Sequence, residues 1–127
     1  MSLAGGQVYL DSYLAPLAPW LGRDDVTDIF VNRPGEVWIE TLTGELERHE
    51  TPGLTRTVLL RLARQIAAAN AQGINRESPL LAASLPDGSR VQVVLPPATR
   101  GDVAIAIRRQ RPAAGEAATA YAVIGLV

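Results

Sequence analysis

Apolar positions along this chain change their period several times, and each change marks an element. From Tyr9 to Leu21 the residues Tyr9, Leu10, Tyr13, Leu14, Leu17 and Leu21 recur close to helical spacing. Pro16 and Pro19 interrupt that stretch, which predicts a short helix that breaks or restarts. Gly22–Arg23–Asp24–Asp25 reads as a turn. The runs VTDIFVN (26–32) and EVWIET (36–41) then flank Arg33–Pro34–Gly35, a proline-glycine turn signal between β-branched and aromatic residues, so a hairpin is predicted. Val37 and Ile39 alternate with Glu36, Trp38 and Glu40, which predicts one buried face. A second turn follows at 43–45, and LERHE (46–50) reads as a third, more exposed strand.

Thr51–Pro52–Gly53–Leu54 ends this sheet-like region, and Thr55 is placed to cap a helix covering roughly Arg56 to Asn70. Val58, Leu59, Leu62, Ile66 and Ala69 line one side of it, and Arg61, Arg64 and Gln65 the other, with Gly73 as the expected stop. Beyond it lie LLAASL, the turn Pro86–Asp87–Gly88, RVQVVLP, a loop at 97–101 and VAIAIRR, all short β-type runs with clean ends. The order of elements predicts an α+β domain, with a mostly antiparallel sheet of about five to six short strands and two or three helices. Residues 9–111 form that domain. Residues 1–8 read as an extension, and the alanine-rich 112–127 as a linker or truncated tail.

Composition narrows the chemistry. At 127 residues, 47% apolar and 20% charged, the chain is sized and balanced for one globular domain. The absence of cysteine removes disulfides, thiol catalysis and cysteine-ligated metals, and His49 as the sole histidine argues against a zinc or iron site. No apolar stretch approaches the ~20 residues of a membrane span, and no secretory signal is recognisable, so a cytoplasmic location is expected. All twelve basic residues are arginine. Residues 1–54 hold nine acids against three arginines, and residues 55–127 hold nine arginines against four acids. Two readings of that asymmetry stand level: self-complementary packing of the halves, or a basic surface facing phosphate.

Several familiar chemistries fail on residue type. A nucleotide-binding P-loop needs a lysine to reach the β- and γ-phosphates, and the chain has none. His49, Ser78 or Ser84 and Asp87 could be assembled into a triad on paper, but neither serine sits in a nucleophile-elbow context. Asp24–Asp25 and Glu45/Glu47 read as solvated acids, and Arg100–Gly101–Asp102 as a loop between strands. Arg56, Arg61 and Arg64, with Arg108, Arg109 and Arg111, could meet phosphates of a nucleic acid. A pI near 5.8 and scarce aromatics weigh against that. No catalytic residue and no metal ligand is expected in this chain.

The most patterned stretch, Gly73 to Ala98, contains a turn with a mechanism: proline presets φ, and glycine accepts positive φ. Arg90 opens the strand after it, and a partner strand runs into Arg108–Arg109. Guanidinium forks at such strand ends suit an anion. An internal ion pair with Asp87 or Glu77 fits the spacing equally well.

The combination PLLAASLPDGSRVQVVLPPA…IAIRR is similar to the signature of the amino-terminal domain of the type II/IV secretion ATPases. VTDIFVNRPGEVWIE, followed by a proline and an arginine-bearing helix, resembles the type IV, VirB-eleven-like branch, over about Tyr9 to Arg111. The stretch NRESPLLAASL lacks the Asp-Ala-Arg usual in the other branches. The resemblance implies an α+β unit ahead of a P-loop motor domain in a hexameric ring, with nucleotide between the two domains. It also implies arginines after the Leu-Pro-Asp-Gly turn as phosphate contacts: Arg90 and Arg108 by position, with Arg109 as a neighbour. ATP and Mg2+ are implied for the full-length protein and none for this chain alone, which should be inactive. Implied partners are like subunits, other secretion ATPases and inner-membrane components, without direct nucleic-acid binding, at a cytoplasmic site peripheral to the inner membrane. The motor motifs are absent here, and the sequence past Arg111 does not match the expected linker. Two other readings compete: a stand-alone protein-interaction or sensory domain, and an arginine-based nucleic-acid module. Alanine at position 90 or 108 is expected to lower ATPase activity of the intact enzyme with little loss of folding.

Overall fold

The computed structural model of the chain describes residues 10–74, 77–96, 98–99 and 101–109. The helical stretch opens at 10–14, tightens into a 3-10 turn at Ala15–Leu17 and restarts as α1 (Ala18–Leu21). Pro16 and Pro19 each sit at the start of a new segment, where a missing N–H costs nothing. Strands β1 (Val26–Val31), β2 (Glu36–Thr41) and β3 (Leu46–Glu50) follow, then α2 (Arg56–Ala69), β4 (Leu80–Ser84), β5 (Arg90–Val94) and β6 (Ala104–Arg108).

The strands form one sheet in the order β3-β2-β1-β6-β5-β4, every neighbouring pair antiparallel. Two meanders therefore meet at the central β1–β6 pair, and α2 carries the chain from one sheet edge to the other. The turns behave as the sequence indicates: Gly35 adopts φ +81° and Gly88 φ +89°, a region closed to most side chains. The predicted fold class, α+β, is the observed one.

Alternation decides the two faces. Ile29, Val31, Val37, Ile39, Val91, Val93, Ile105 and Ile107 all point to the helices, meeting Leu10, Leu14, Leu17 and Trp20 from the first helical stretch and Leu59, Leu62 and Ile66 from α2. Each such side chain contributes roughly 1.5–3 kcal/mol by leaving water. Thr55 caps α2 as expected, its hydroxyl accepting from the Val58 amide at 3.1 Å.

Two sequence expectations for α2 fail. Ala69 is exposed, and Ala63 and Ala67 complete the buried stripe instead, because the helix presents positions 59, 62, 63, 66 and 67 to the sheet. Nor does Gly73 stop the helix. Asn70 is its C-cap, and Ala71 takes the left-handed φ of +53° that glycine usually supplies.

Candidate functional site

The opposite sheet face carries the alternate residues and belongs to none of the buried core: Phe30 and Trp38 in the middle strands, Ala104 and Ala106 on β6, Gln92 on β5. Among the described residues, both helices pack on the other side. One row crosses this second face near the β4–β5 turn, with Arg90 paired to Arg108, Arg108 to Asp28, and Asp28 to Glu40. Two arginines thus stand directly opposite one another, an arrangement that repels in a bare sheet. The charges are graded: positive over β5 and β6, negative over β1 and β2.

The two arginines are held differently. Arg108 Nη2 donates to Asp28 Oδ2 at 3.1 Å, and the side chains are only 6% and 5% exposed. Arg90 is exposed, and the structure gives it no ion pair among the described residues. The internal partners the spacing suggested do not take that role: Asp87 Oδ1 instead accepts from the Ser89 amide at 2.8 Å, and the Leu85 amide donates to the Ser89 carbonyl across the turn. Ser89, Arg90 and the rigid turn before them sit at the positive end of the row.

Arg109 is on the other face. Its Nη1 donates to the carbonyls of Trp20 at 3.1 Å and Arg23 at 3.3 Å, and its amide donates to Thr27 O. It closes the carbonyl end of α1, the place where a cation is electrostatically favoured. Residues 108 and 109 point to opposite faces because side chains alternate along a strand. The structure therefore brings Arg90 and Arg108 together and separates Arg109 from them.

Two groups escaped sequence reading. Asp28 is a lone acid inside the apolar run VTDIFV, and that placement was the available signal for a buried partner. Glu36, expected on the outer face, is buried by its partners. It accepts from Arg33 at 3.1 Å, Arg48 at 2.7 Å and Trp38 Nε1 at 2.9 Å. Arg33, then Arg48 and Trp38, draw its carboxyl down to a pKa of about 2. At the β3 edge, Arg23 bridges Asp25 and Glu47, so neither acid is simply solvated. The Glu47 carboxyl is held below its usual range by Arg23 and then by His49, while Asp25 and Glu47 raise Arg23. His49 Nε2 lies 2.9 Å from Glu47 Oε1 and its ring 5.1 Å from that of Trp20. A structural role accounts for this histidine. Arg56 pairs with Asp102, leaving Arg61 and Arg64 on the exposed side of α2. Of the ion pairs named here, Arg108–Asp28 alone joins residues 1–54 to 55–127, so the described pairs give little support to self-complementary halves. No described helix is long and apolar enough to cross a membrane.

No protein-family model matches the chain. It is 45% identical over 104 residues to the type IV secretion system protein PtlH of Bordetella pertussis, covering 81% of this chain and 30% of that protein. It is 39% identical over 98 residues to the type IV secretion system protein VirB11 of Brucella suis, covering 76% of this chain and 27% of that protein. The crystal structure of the Brucella suis VirB11 ATPase, in complex with sulphate, superposes with a TM-score of 0.83 at 32% identity. That match covers 98% of this chain and 37% of the solved one. The chain thus spans about 30% of the length of the curated relatives it matches. Sequence and fold agree on one conclusion: the chain belongs to the family of type IV secretion ATPases that includes VirB11.

Proposed function

We propose that this chain is the amino-terminal, nucleotide-capping and ring-forming domain of a hexameric ATPase that powers type IV secretion, in protein or DNA export or in pilus assembly. The observation that carries the reading is the Arg90–Arg108 pair on the sheet face opposite the helices, with Arg90 exposed and Arg108 buried against Asp28. Asp28 fixes Arg108, so its guanidinium is presented in one orientation rather than swinging freely. Arg90, exposed beside it, supplies a second cation whose fork matches phosphate oxygens. The VirB11 ATPase was crystallised with sulphate, an anion of the same shape and charge class as phosphate.

In this reading the phosphates of ATP, with Mg2+ held by the motor domain, lie against the positive end of the row. This chain binds and orients; it has no lysine with which to form a P-loop of its own. The protein works in the cytoplasm, peripheral to the inner membrane, with like subunits, other secretion ATPases and inner-membrane components as partners and without direct nucleic-acid binding. Arg109 acts indirectly, by seating α1 against β1 and β6.

The test is steady-state ATPase kinetics of the full-length protein carrying Arg90→Ala and Arg90→Lys. One lost charge-assisted hydrogen bond is worth about 1.5–3 kcal/mol, so Arg90→Ala lowers kcat/KM roughly 10- to 100-fold, and lysine recovers part of it. Wild-type kinetics in both variants contradict the proposal and favour a protein-interaction domain.

A further inference from the structure

The two edges of the sheet are protected by different means. An edge strand exposes unpaired N–H and C=O groups and invites another strand. On β3 the residues Glu47, Arg48, His49 and Glu50 discourage this with charge. On β4 the sequence LLAAS has no charge and no proline, and Leu80 is 68% exposed. By composition it is an unguarded edge.

Its hydrogen bonds say otherwise. The Leu85 amide bonds to Ser89 and the Leu95 amide to the Pro79 carbonyl. Odd-numbered positions therefore face β5, and residues 80, 82 and 84 present their backbone groups outward. Asn70 Nδ2 donates to Ser84 O at 3.0 Å, and the Ser84 amide donates back to Asn70 Oδ1 at 3.1 Å. That is the two-bond ring a neighbouring strand residue would make. Gln72 Nε2 donates to Ala82 O at 3.1 Å, two residues along.

The backbone is arranged to deliver these amides. Asn70 Nδ2 also donates to Ile66 O, the Ala71 amide to Ala68 O and the Gln72 amide to Ala67 O, which fixes the reversal at the end of α2. Ala71 lies between the two amides at φ +53°, a conformation that costs a non-glycine residue free energy. Capping the helix does not require Gln72 to reach β4. Strain held at a site that positions two side chains points to a use for them.

We propose that Asn70, Ala71 and Gln72 form a guard that occupies a strand-addition site on β4, and that the occupant it excludes is β4 of a second copy of this chain. The pairing is antiparallel, as in the rest of the sheet, and aligns two uncharged strands about Ala82, with each exposed Leu80 opposite the Ser84 position of the other copy. The guard keeps association of this domain away from that edge. The inference stands apart from the ATPase reading and fails or survives independently of it.

Sedimentation velocity and amide hydrogen exchange on the 127-residue chain test it. In the wild type the Ser84 amide exchanges roughly tenfold or more slowly than the Ala82 amide, and Ala82 exchange does not depend on protein concentration. Asn70→Ala combined with Gln72→Ala adds a dimerisation step, and Ala82 becomes protected as concentration rises. Adding Ala82→Pro, whose missing N–H lies on the outward side, removes that step. A folded double variant whose Ala82 amide stays unprotected at every concentration overturns the proposal, as does a dimer indifferent to Ala82→Pro. The wild-type comparison decides even where the double variant does not fold, since Ser84 exchanging as fast as Ala82 refutes the guard.

Discussion

Replacing Arg108 by alanine strips the guanidinium from a carboxylate that is only 5% exposed. Surface ion pairs contribute about 0–1 kcal/mol, but breaking a buried one leaves an uncompensated charge and costs about 3–5 kcal/mol. For a domain with a total stability of order 5–15 kcal/mol that is a large fraction. At a urea m-value of about 1–3 kcal/mol/M the midpoint falls by roughly 1–5 M. From sequence alone, Arg90→Ala and Arg108→Ala are both expected to cost little folding stability. The structure separates them, since Arg90 is exposed and its removal changes stability by less than about 0.5 kcal/mol. Urea titrations followed by tryptophan fluorescence compare Arg108→Ala, Asp28→Ala, Arg90→Ala and the apolar double replacement Asp28→Leu with Arg108→Met. Both pair-breaking variants lose about 3–5 kcal/mol, while the double replacement stays near wild type or exceeds it. An Arg108→Ala protein within about 1 kcal/mol of wild type refutes the buried-pair argument.

Other consequences follow from single contacts. Glu36 has a folded pKa of about 2 against an ordinary 4.5, so its contribution is complete above pH 4.5 and disappears as pH falls towards 2. Thermal melts should show wild type losing more stability than Glu36→Gln across that window, and parallel curves contradict it. Thr55→Ala removes the cap on α2 and costs about 1 kcal/mol in chemical unfolding. Ala71→Gly relieves the positive φ and raises stability by up to about 1 kcal/mol, an outcome read from the same titration.

Much of this fold is written locally. Val37 and Ile39, the turns at Gly35 and Gly88, Thr55 and the prolines at 16 and 19 each announce a conformation through their own chemistry, and each adopts it. What stays hidden depends on distant partners. Arg108 pairs with Asp28 across 80 positions of sequence, and no spacing rule connects them. Arg109 differs from its neighbour because β6 alternates and because α1 ends beneath it. Glu36 looks like an outward strand residue until Arg33, Arg48 and Trp38 converge on it. The stop of α2 is hidden because glycine is the usual left-handed residue, whereas here Asn70 and Gln72 hold Ala71 in that conformation from the side of β4. The Arg90–Arg108 site was half legible: turn chemistry marked the strand ends, but the register that sets the two arginines opposite each other is a property of the assembled sheet.

In the proposed function, nucleotide phosphates meet the β5–β6 end of the sheet face that carries Arg90 and Arg108. Hydrogen exchange of the full-length protein, with and without a non-hydrolysable ATP analogue and Mg2+, examines it most directly. Nucleotide-dependent protection is expected at residues 85–91 and 107–109, reduced by Arg90→Ala, with β3 unchanged. Nucleotide binding that leaves both segments exchanging as before contradicts it.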